Sequence, residues 1–137
     1  MTYLLDTNVL SETRKRQPAA GVAGWIAATP PGRLHVSVLT LGEIEQGIAR
    51  VRGRGDQHQA SALECWLREV ETGFVDRVLP VTLSVAAAWG RQQYVRPLPV
   101  IDSLIAATAR VHGMAVVTRN VKDFERAGVQ VLNPFTE

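Results

Sequence analysis

Short apolar runs alternate with longer amphipathic segments along this 137-residue chain. The longer segments repeat their apolar residues at helical spacing, and the runs between them are short enough to be buried strands. This alternation predicts an α/β domain in which helices connect the strands of a parallel sheet. The five predicted strands are residues 2–5, 34–37, 78–81, 115–118 and 129–132.

The helices are predicted from apolar periodicity and from residues that start or stop a helix. Pro18 suits the first turn of the second helix, and Thr40 with Glu43 has the arrangement of a capping box at the start of the third. Thr82 is predicted to cap a helix that ends near Tyr94. The predicted helical ranges are about 7–14, 18–28, 40–51, 57–71, 82–94, 100–112 and 121–127.

The composition is that of an ordinary globular protein, with 46% hydrophobic and 20% charged residues. A chain of this length fits one domain, so residues 1–137 are interpreted as a single domain. The apolar start is too short for a signal peptide, and no run is long enough to span a membrane. The one cysteine, Cys65, cannot form an internal disulfide and is interpreted as a small core residue. These features predict a cytoplasmic protein that does not associate with membranes.

Two acidic residues stand where a solvated surface charge is not expected. Asp6 directly follows the first apolar run, and an unpaired carboxylate there would cost several kcal/mol to bury. Asp102 shares a helix face with the apolar Ile105 and Ala109. The alternatives are an N-cap role for Asp6 and, after Pro99, a helix-dipole role for Asp102. We favour metal ligands for both, because carboxylates are the ligands of hard divalent cations.

Two further acids are ambiguous from their local sequence. Glu43 could belong to a capping box without any chemistry, and Glu45 competes with it as a ligand. Asp123, with Asn120, also fits the start of a helix. A metal site at the carboxyl ends of the parallel strands would explain all the acids together. The predicted set is Asp6, Glu43, Asp102 and Asp123.

Other chemistries lack the residues that they need. The three histidines are dispersed, and no glycine-rich phosphate loop of the Walker or dinucleotide type occurs. A phosphatase that used Asp6 as its nucleophile would usually need a second aspartate where Asn8 stands. The three tryptophans lie on apolar helical stripes and are interpreted as core residues rather than base-stacking residues.

The net charge of +2 is too small to establish nucleic-acid binding, so the distribution of basic residues carries the argument. One basic cluster covers residues 14–16, and a second consists of Arg50, Arg52 and Arg54. Either cluster could contact a phosphate backbone. Either could equally stabilise the C-terminal end of a helix through its dipole.

Several stretches, taken in chain order, resemble the PIN-domain ribonucleases, specifically the VapC/FitB-like toxins of bacterial toxin–antitoxin pairs. They are LLDTNVLSE, SVLTLGEIEQGI, and PVIDSLIAATARVHGMAVVTRNVKDF with VLNPF after it. The DxN pattern alone is not specific, but DTNVLSE, LGEIEQGI, DSLIAATA and VTRNxxDF in this order are. The resemblance implies a single PIN domain over residues 1–137, a three-layer α/β/α domain with a central, mainly parallel sheet.

The resemblance also implies a site and a reaction. It favours Glu43 over Glu45, and it implies Mg²⁺ or Mn²⁺ as the cofactor for hydrolysis of RNA phosphodiester bonds. The implied catalytic and metal-binding acids are Asp6, Glu43, Asp102 and Asp123. The polar residues matched to positions that orient ligands or water are Asn8, Thr118 and Asn120. Without metal, carboxylates crowded in this way should repel, which predicts that some have raised pKa values.

The implied partners are an RNA substrate, a cognate antitoxin that covers the acidic pocket, and a second copy of the chain in a homodimer. Arg50, Arg52 and Arg54 are the candidates for contact with the RNA backbone. The alternative function is a non-catalytic PIN-like binding module, in which the acids only bind an arginine of a partner.

Overall fold

The computed structural model describes residues 1–94 and 96–136. Within these residues the strands are β1 (Tyr3–Leu5), β2 (Leu34–Ser37), β3 (Val78–Leu79), β4 (Ala115–Val117) and β5 (Val131–Leu132). They form one sheet in the order β3-β2-β1-β4-β5, and every neighbouring pair is parallel. The predicted five-stranded parallel sheet is therefore confirmed, although β3 and β5 are each only two residues long.

The helices are α1 (Thr7–Glu12), α2 (Ala20–Ala28), α3 (Val38–Gly53), α4 (Gln57–Gly73), α5 (Leu83–Arg91), α6 (Val100–His112) and α7 (Val121–Arg126). All the predicted helices are present, but α1 and α5 end two and three residues earlier than predicted. Pro18 precedes α2 instead of lying in its first turn. Within the described residues, no helix combines the length and the apolar character that crossing a bilayer requires.

The start of α3 differs from the predicted capping box. The helix begins at Val38, because the Ser37 hydroxyl accepts a hydrogen bond from the Leu39 N–H at 3.0 Å and so caps the helix. Thr40 lies inside the first turn and is fully buried. The Thr40–Glu43 capping box is therefore wrong, and Glu43 lies in the second turn of a helix that another residue already caps.

Helices cover both faces of the sheet, because successive side chains of a strand point to opposite faces. Leu5 and Val117 pack in one core against α1, α2, α3 and α4, whereas Leu4 and Val116 pack in a second core against α6 and α7. Full burial of each leucine contributes about 1.5–3 kcal/mol. This packing sets the register of β1 and makes the domain the predicted three-layer α/β/α arrangement.

Two side chains assigned to the core from periodicity lie at the surface. Cys65 is exposed on α4. Trp89 is 39% exposed, and its indole N–H donates a hydrogen bond to the Ser103 hydroxyl at 2.8 Å. Helical spacing identifies a stripe of residues, but it does not show which edge of the stripe faces the sheet.

Candidate active site

The four predicted acids come from four different elements. Asp6 follows β1, Glu43 lies in α3, Asp102 lies in the first turn of α6, and Asp123 lies in the first turn of α7. Thr7 links Asp6 to Glu43, and Asn120 links Asp102 to Asp123. The charges of the other three acids also raise the pKa of Asp102. The structure therefore brings together all four acids at the carboxyl-terminal edge of the sheet.

Asp6 occupies the exit from the central strand and is only 4% exposed. Its backbone N–H donates to the Val117 carbonyl at 2.9 Å, so the ladder between β1 and β4 continues through this residue. The side chain also caps α1, since Oδ1 accepts from the Thr7 N–H at 2.8 Å. Burial raises the pKa of the Asp6 carboxyl, and the charge of Glu43 adds to the increase, while hydrogen bonds from Thr118 and Thr7 oppose it. Asp6 thus both caps α1 and lies buried at the acidic cluster.

Two polar side chains donate hydrogen bonds to the second oxygen of Asp6. Oδ2 accepts from the Thr118 hydroxyl at 2.8 Å and from the Asn8 amide at 3.3 Å. The Thr118 hydroxyl in turn accepts from the backbone N–H of Asn120 at 2.9 Å and from the Asn8 amide at 3.3 Å. Asn8 also accepts from the Arg119 N–H at 3.1 Å. These contacts hold the loop after β4 against the start of α1, as expected for residues that orient the acids.

Glu43 is connected to the same end of α1. Its carboxylate accepts a hydrogen bond from the Thr7 hydroxyl, and the backbone of Thr7 is bonded to Asp6. Glu45, the competing candidate, lies elsewhere on α3 and forms an exposed ion pair with Arg68 at 3.4 Å. The structure therefore places Glu43, and not Glu45, beside Asp6.

Asp102 and Asp123 are linked by the amide of Asn120. The Asn120 side chain donates to Asp102 Oδ2 at 3.4 Å and to Asp123 Oδ2 at 3.0 Å. Asp123 also lies 3.5 Å from the guanidinium of Arg126, one turn further along α7. Asn120 does not cap α7 with its side chain, so the amide is used between the two acids instead.

Asp102 shows the electrostatic character of the cluster most clearly. Burial and the charges of Asp6, Glu43 and Asp123 raise the pKa of the Asp102 carboxyl to about 6, while the hydrogen bond from Asn120 opposes the increase. The ordinary value for this carboxyl is 3.8. Burial is the largest cause of the raised pKa in both Asp102 and Asp6, and the charges of neighbouring carboxylates add to it.

The donor set fits Mg²⁺ or Mn²⁺, because all four ligands would be carboxylate oxygens. Within residues 1–94 and 96–136, however, no three acidic, histidine or cysteine side chains lie close enough to hold one ion as they stand. The acids form two linked pairs, one joined through Thr7 and one through Asn120. Mg²⁺ usually keeps several waters and shares its shell with substrate phosphates, so direct contact with every acid is not required.

Sequence reasoning did not identify Thr7 as a functional residue. Thr7 connects Asp6 to Glu43 only because α1 packs against α3. A hydroxyl directly after a strand-ending aspartate was the one available signal. The contact partner, 36 residues away, could not be read from spacing.

The three arginines predicted to contact RNA have different surroundings in the structure. Arg52 pairs with Glu64 at 3.1 Å and donates to Gln57 at 3.2 Å. Arg54 lines a groove that begins at Glu43, whereas Arg50 is exposed and does not line it. Contact of these residues with RNA stays a prediction.

The sequence matches the PIN domain family over residues 3–130. It is 33% identical to the VapC ribonuclease Y4jK of Sinorhizobium fredii, with 96% of each chain covered. It is 31% identical to the toxin FitB of Neisseria gonorrhoeae, with 96% of this chain and 97% of that protein covered.

A solved structure shows the same fold along almost the whole chain. The crystal structure of FitAcB from Neisseria gonorrhoeae contains a chain that superposes with a TM-score of 0.90 at 30% identity, covering 99% of this chain and 100% of that one. The sequence match and the superposition agree with the motifs and with the five-stranded sheet. The chain therefore belongs to the PIN-domain family.

Proposed function

We propose that this protein is a metal-dependent endoribonuclease toxin that hydrolyses RNA phosphodiester bonds and is neutralised by a cognate antitoxin. The observation that carries the proposal is the placement of four carboxylates at the carboxyl-terminal edge of the sheet, linked in two pairs by Thr7 and Asn120. Negative charge concentrated at the edge where α/β sheets bind ligands is the arrangement that a divalent cation would stabilise. Relatives of nearly the same length that are named ribonuclease and toxin support the reaction and the role.

Asp6, Glu43, Asp102 and Asp123 would hold Mg²⁺ or Mn²⁺. When bound, such an ion lowers the pKa of a water molecule and neutralises charge on the reacting phosphate. The remaining residues of the site would keep the acids in position. Thr118 and Asn8 hold Asp6, Thr7 holds Glu43, and Asn120 holds Asp102 and Asp123.

The acidic cluster also supports an antitoxin partner. A guanidinium group binds carboxylates through charge-assisted hydrogen bonds, so an antitoxin arginine could occupy the place of the cation.

A homodimer and a cytoplasmic location belong to the same proposal. The motif resemblance supports the homodimer, and the single cysteine supports the cytoplasmic location. Light scattering of the purified protein, alone and with its antitoxin, would test the two assemblies.

A non-catalytic binding module is the second candidate. It is favoured by one observation, namely that no three of the described acidic side chains can hold a single ion as they stand. In this reading the acids would bind only the arginine of a partner. Antitoxin binding without hydrolysis of any RNA would support this second function.

The decisive experiment is RNA cleavage by the purified protein. We expect cleavage with Mg²⁺ or Mn²⁺, loss of cleavage with a chelator, and recovery when the metal is added back. An Asp6→Asn variant purified in parallel controls for contaminating nuclease, because its loss of activity must come from the protein itself. Cleavage that persists in the presence of the chelator and in the Asp6→Asn variant would contradict the assignment of the four acids as the catalytic site.

A further inference from the structure

A groove of about 300 Å³ leads away from the acidic cluster between α1, α3 and α4. Thr7 and Glu43 line the end that belongs to the cluster, and Arg14 and Arg54 also line the groove. Arg54 follows Glu43 by about three turns of the same helix, or about 16 Å along its axis. The groove therefore extends from the acids to a basic region supplied by two separate parts of the chain.

Within the described residues, Arg14 and Arg54 lack the ion-pair partners that Lys15 and Arg52 have. Lys15 pairs with Glu12 at 2.9 Å, and Arg52 pairs with Glu64 at 3.1 Å. Among residues 1–94 and 96–136, neither Arg14 nor Arg54 forms an ion pair or a side-chain hydrogen bond. Their positive charge is therefore available to a ligand in the groove.

The floor of the groove is apolar and has a gap beside the acids. Ile48, Leu63 and Trp66 contribute apolar surface. Gly47 lies one helical turn after Glu43, and a Cβ added to it would meet nothing within 4 Å. The absence of a side chain at this position keeps the groove open where it meets the cluster.

We propose that the groove binds the single-stranded RNA that continues from the scissile phosphate, with Arg14 and Arg54 contacting its backbone phosphates. This inference rests on the proposed function, since it takes the acidic cluster as the place of cleavage. A protein holds single-stranded nucleic acid through basic side chains that follow the phosphate backbone and through apolar or aromatic side chains that contact the bases. The groove offers both, and unpaired bases can turn toward its floor.

The arginines are tested in the Asp6→Asn protein, which we expect to bind RNA without cutting it. The probe is a fluorescent single-stranded RNA of mixed sequence, about 12 nucleotides long, titrated at several salt concentrations. Arg14→Ala and Arg54→Ala should each weaken binding about tenfold. Each should also reduce the slope of log affinity against log salt by about 0.7, and the double variant by about 1.4.

Two controls remove exposed charges that lie outside the groove. Arg16→Ala removes a charge two residues from Arg14, and Arg33→Ala removes a charge from the residue before β2. Neither residue lines the groove, so both variants should keep the parent slope. Equal slopes for the groove variants and the control variants would overturn the proposal.

Gly47 provides a test that leaves every charge in place. Gly47→Phe should fill the groove and raise the KM for RNA at least tenfold in the wild-type background, with a smaller effect on kcat. Gly47→Ala is the control, because alanine favours the helix and adds only one methyl group to open space. Melting temperature and circular dichroism of both variants would show whether the fold is retained, and an unchanged KM in a folded Gly47→Phe protein would contradict the proposal.

The failure of this inference can be distinguished from the failure of the proposed function. RNA cleavage by the wild-type protein with no effect of the groove variants would overturn the groove and leave the nuclease. Salt-dependent RNA binding that needs Arg14 and Arg54, without cleavage, would support the groove and reject the nuclease. Variants that weaken only the antitoxin complex, with RNA binding intact, would assign the groove to the antitoxin and overturn our proposal.

Discussion

The Thr7 hydroxyl donates a hydrogen bond to the Glu43 carboxylate, across 36 residues of chain. This bond joins the end of the central strand to the second turn of α3, because the backbone N–H of Thr7 is bonded to Asp6. The bond also distinguishes Glu43 from Glu45, which lies two residues further along α3 and pairs with Arg68 instead.

The two glutamates form a matched pair for mutagenesis. Glu43→Gln should lower RNA cleavage by about 100-fold or more, because it removes a charge from the site that would hold the metal. Glu45→Gln should leave cleavage within about twofold, since an exposed ion pair contributes about 0–1 kcal/mol to stability. Initial rates at saturating Mg²⁺ would compare them, and equal losses in both variants would contradict the assignment of Glu43.

Thr7 is predicted to position Glu43. Thr7→Val removes the hydroxyl with little change of shape and should reduce activity about 10–100-fold, the usual effect of losing a residue that orients a ligand. Thr7→Ser keeps the hydroxyl and should retain most of the activity. Titration of Mn²⁺ against cleavage rate would show whether the loss comes from weaker metal binding, and a Thr7→Val protein with wild-type metal dependence would argue against this role.

Asn120 is predicted to hold Asp102 and Asp123 together. Asn120→Ala removes the amide that donates to both carboxylates. The repulsion between the two negative charges is then no longer offset by these hydrogen bonds. We expect the metal concentration for half-maximal activity to rise about 10–100-fold. Lys122→Ala, an exposed change in the same helix, is the control. A similar shift in both variants would mean that α7 tolerates change poorly and that the amide has no special role.

The raised pKa values predict how stability depends on pH without metal. Asp102 and Asp6 bind protons more tightly in the folded state than in the unfolded state. Their protonation therefore favours folding at low pH, and this contribution is lost as the pH rises through about 6. In the presence of a chelator, we expect the melting temperature to fall between about pH 5 and about pH 7.5. Addition of Mg²⁺ should raise the melting temperature again at the higher pH.

Asp102→Asn isolates the contribution of this one carboxyl to the pH dependence. The variant should lose most of the difference between the two pH values, because it cannot carry the charge that its neighbours disfavour. Thermal melts of both proteins in chelator would measure the difference. An identical pH dependence in the two proteins would show that Asp102 is not the group responsible.

Local sequence determined the strands, the helices and two of the four acids. Apolar runs and helical spacing are local properties, so they predicted a parallel α/β sheet. The cost of burial favoured Asp6 as a metal ligand, and an apolar helix face favoured Asp102, without knowledge of their neighbours. Helix boundaries were less well predicted, because Ser37 and Thr40 are both able to cap a helix and only the packed backbone shows that Ser37 does so. The motif resemblance, rather than spacing, favoured Glu43 over Glu45.

The tertiary structure decided which of these residues act together. The Thr7–Glu43 bond, the Asn120 amide between two acids, and the groove between Arg14 and Arg54 all join residues far apart in the chain. Such contacts depend on how α1, α3, α4 and α6 pack against the sheet. The sequence pattern specifies which side of a helix is apolar, but the distance between two polar atoms on different helices exists only after both have packed.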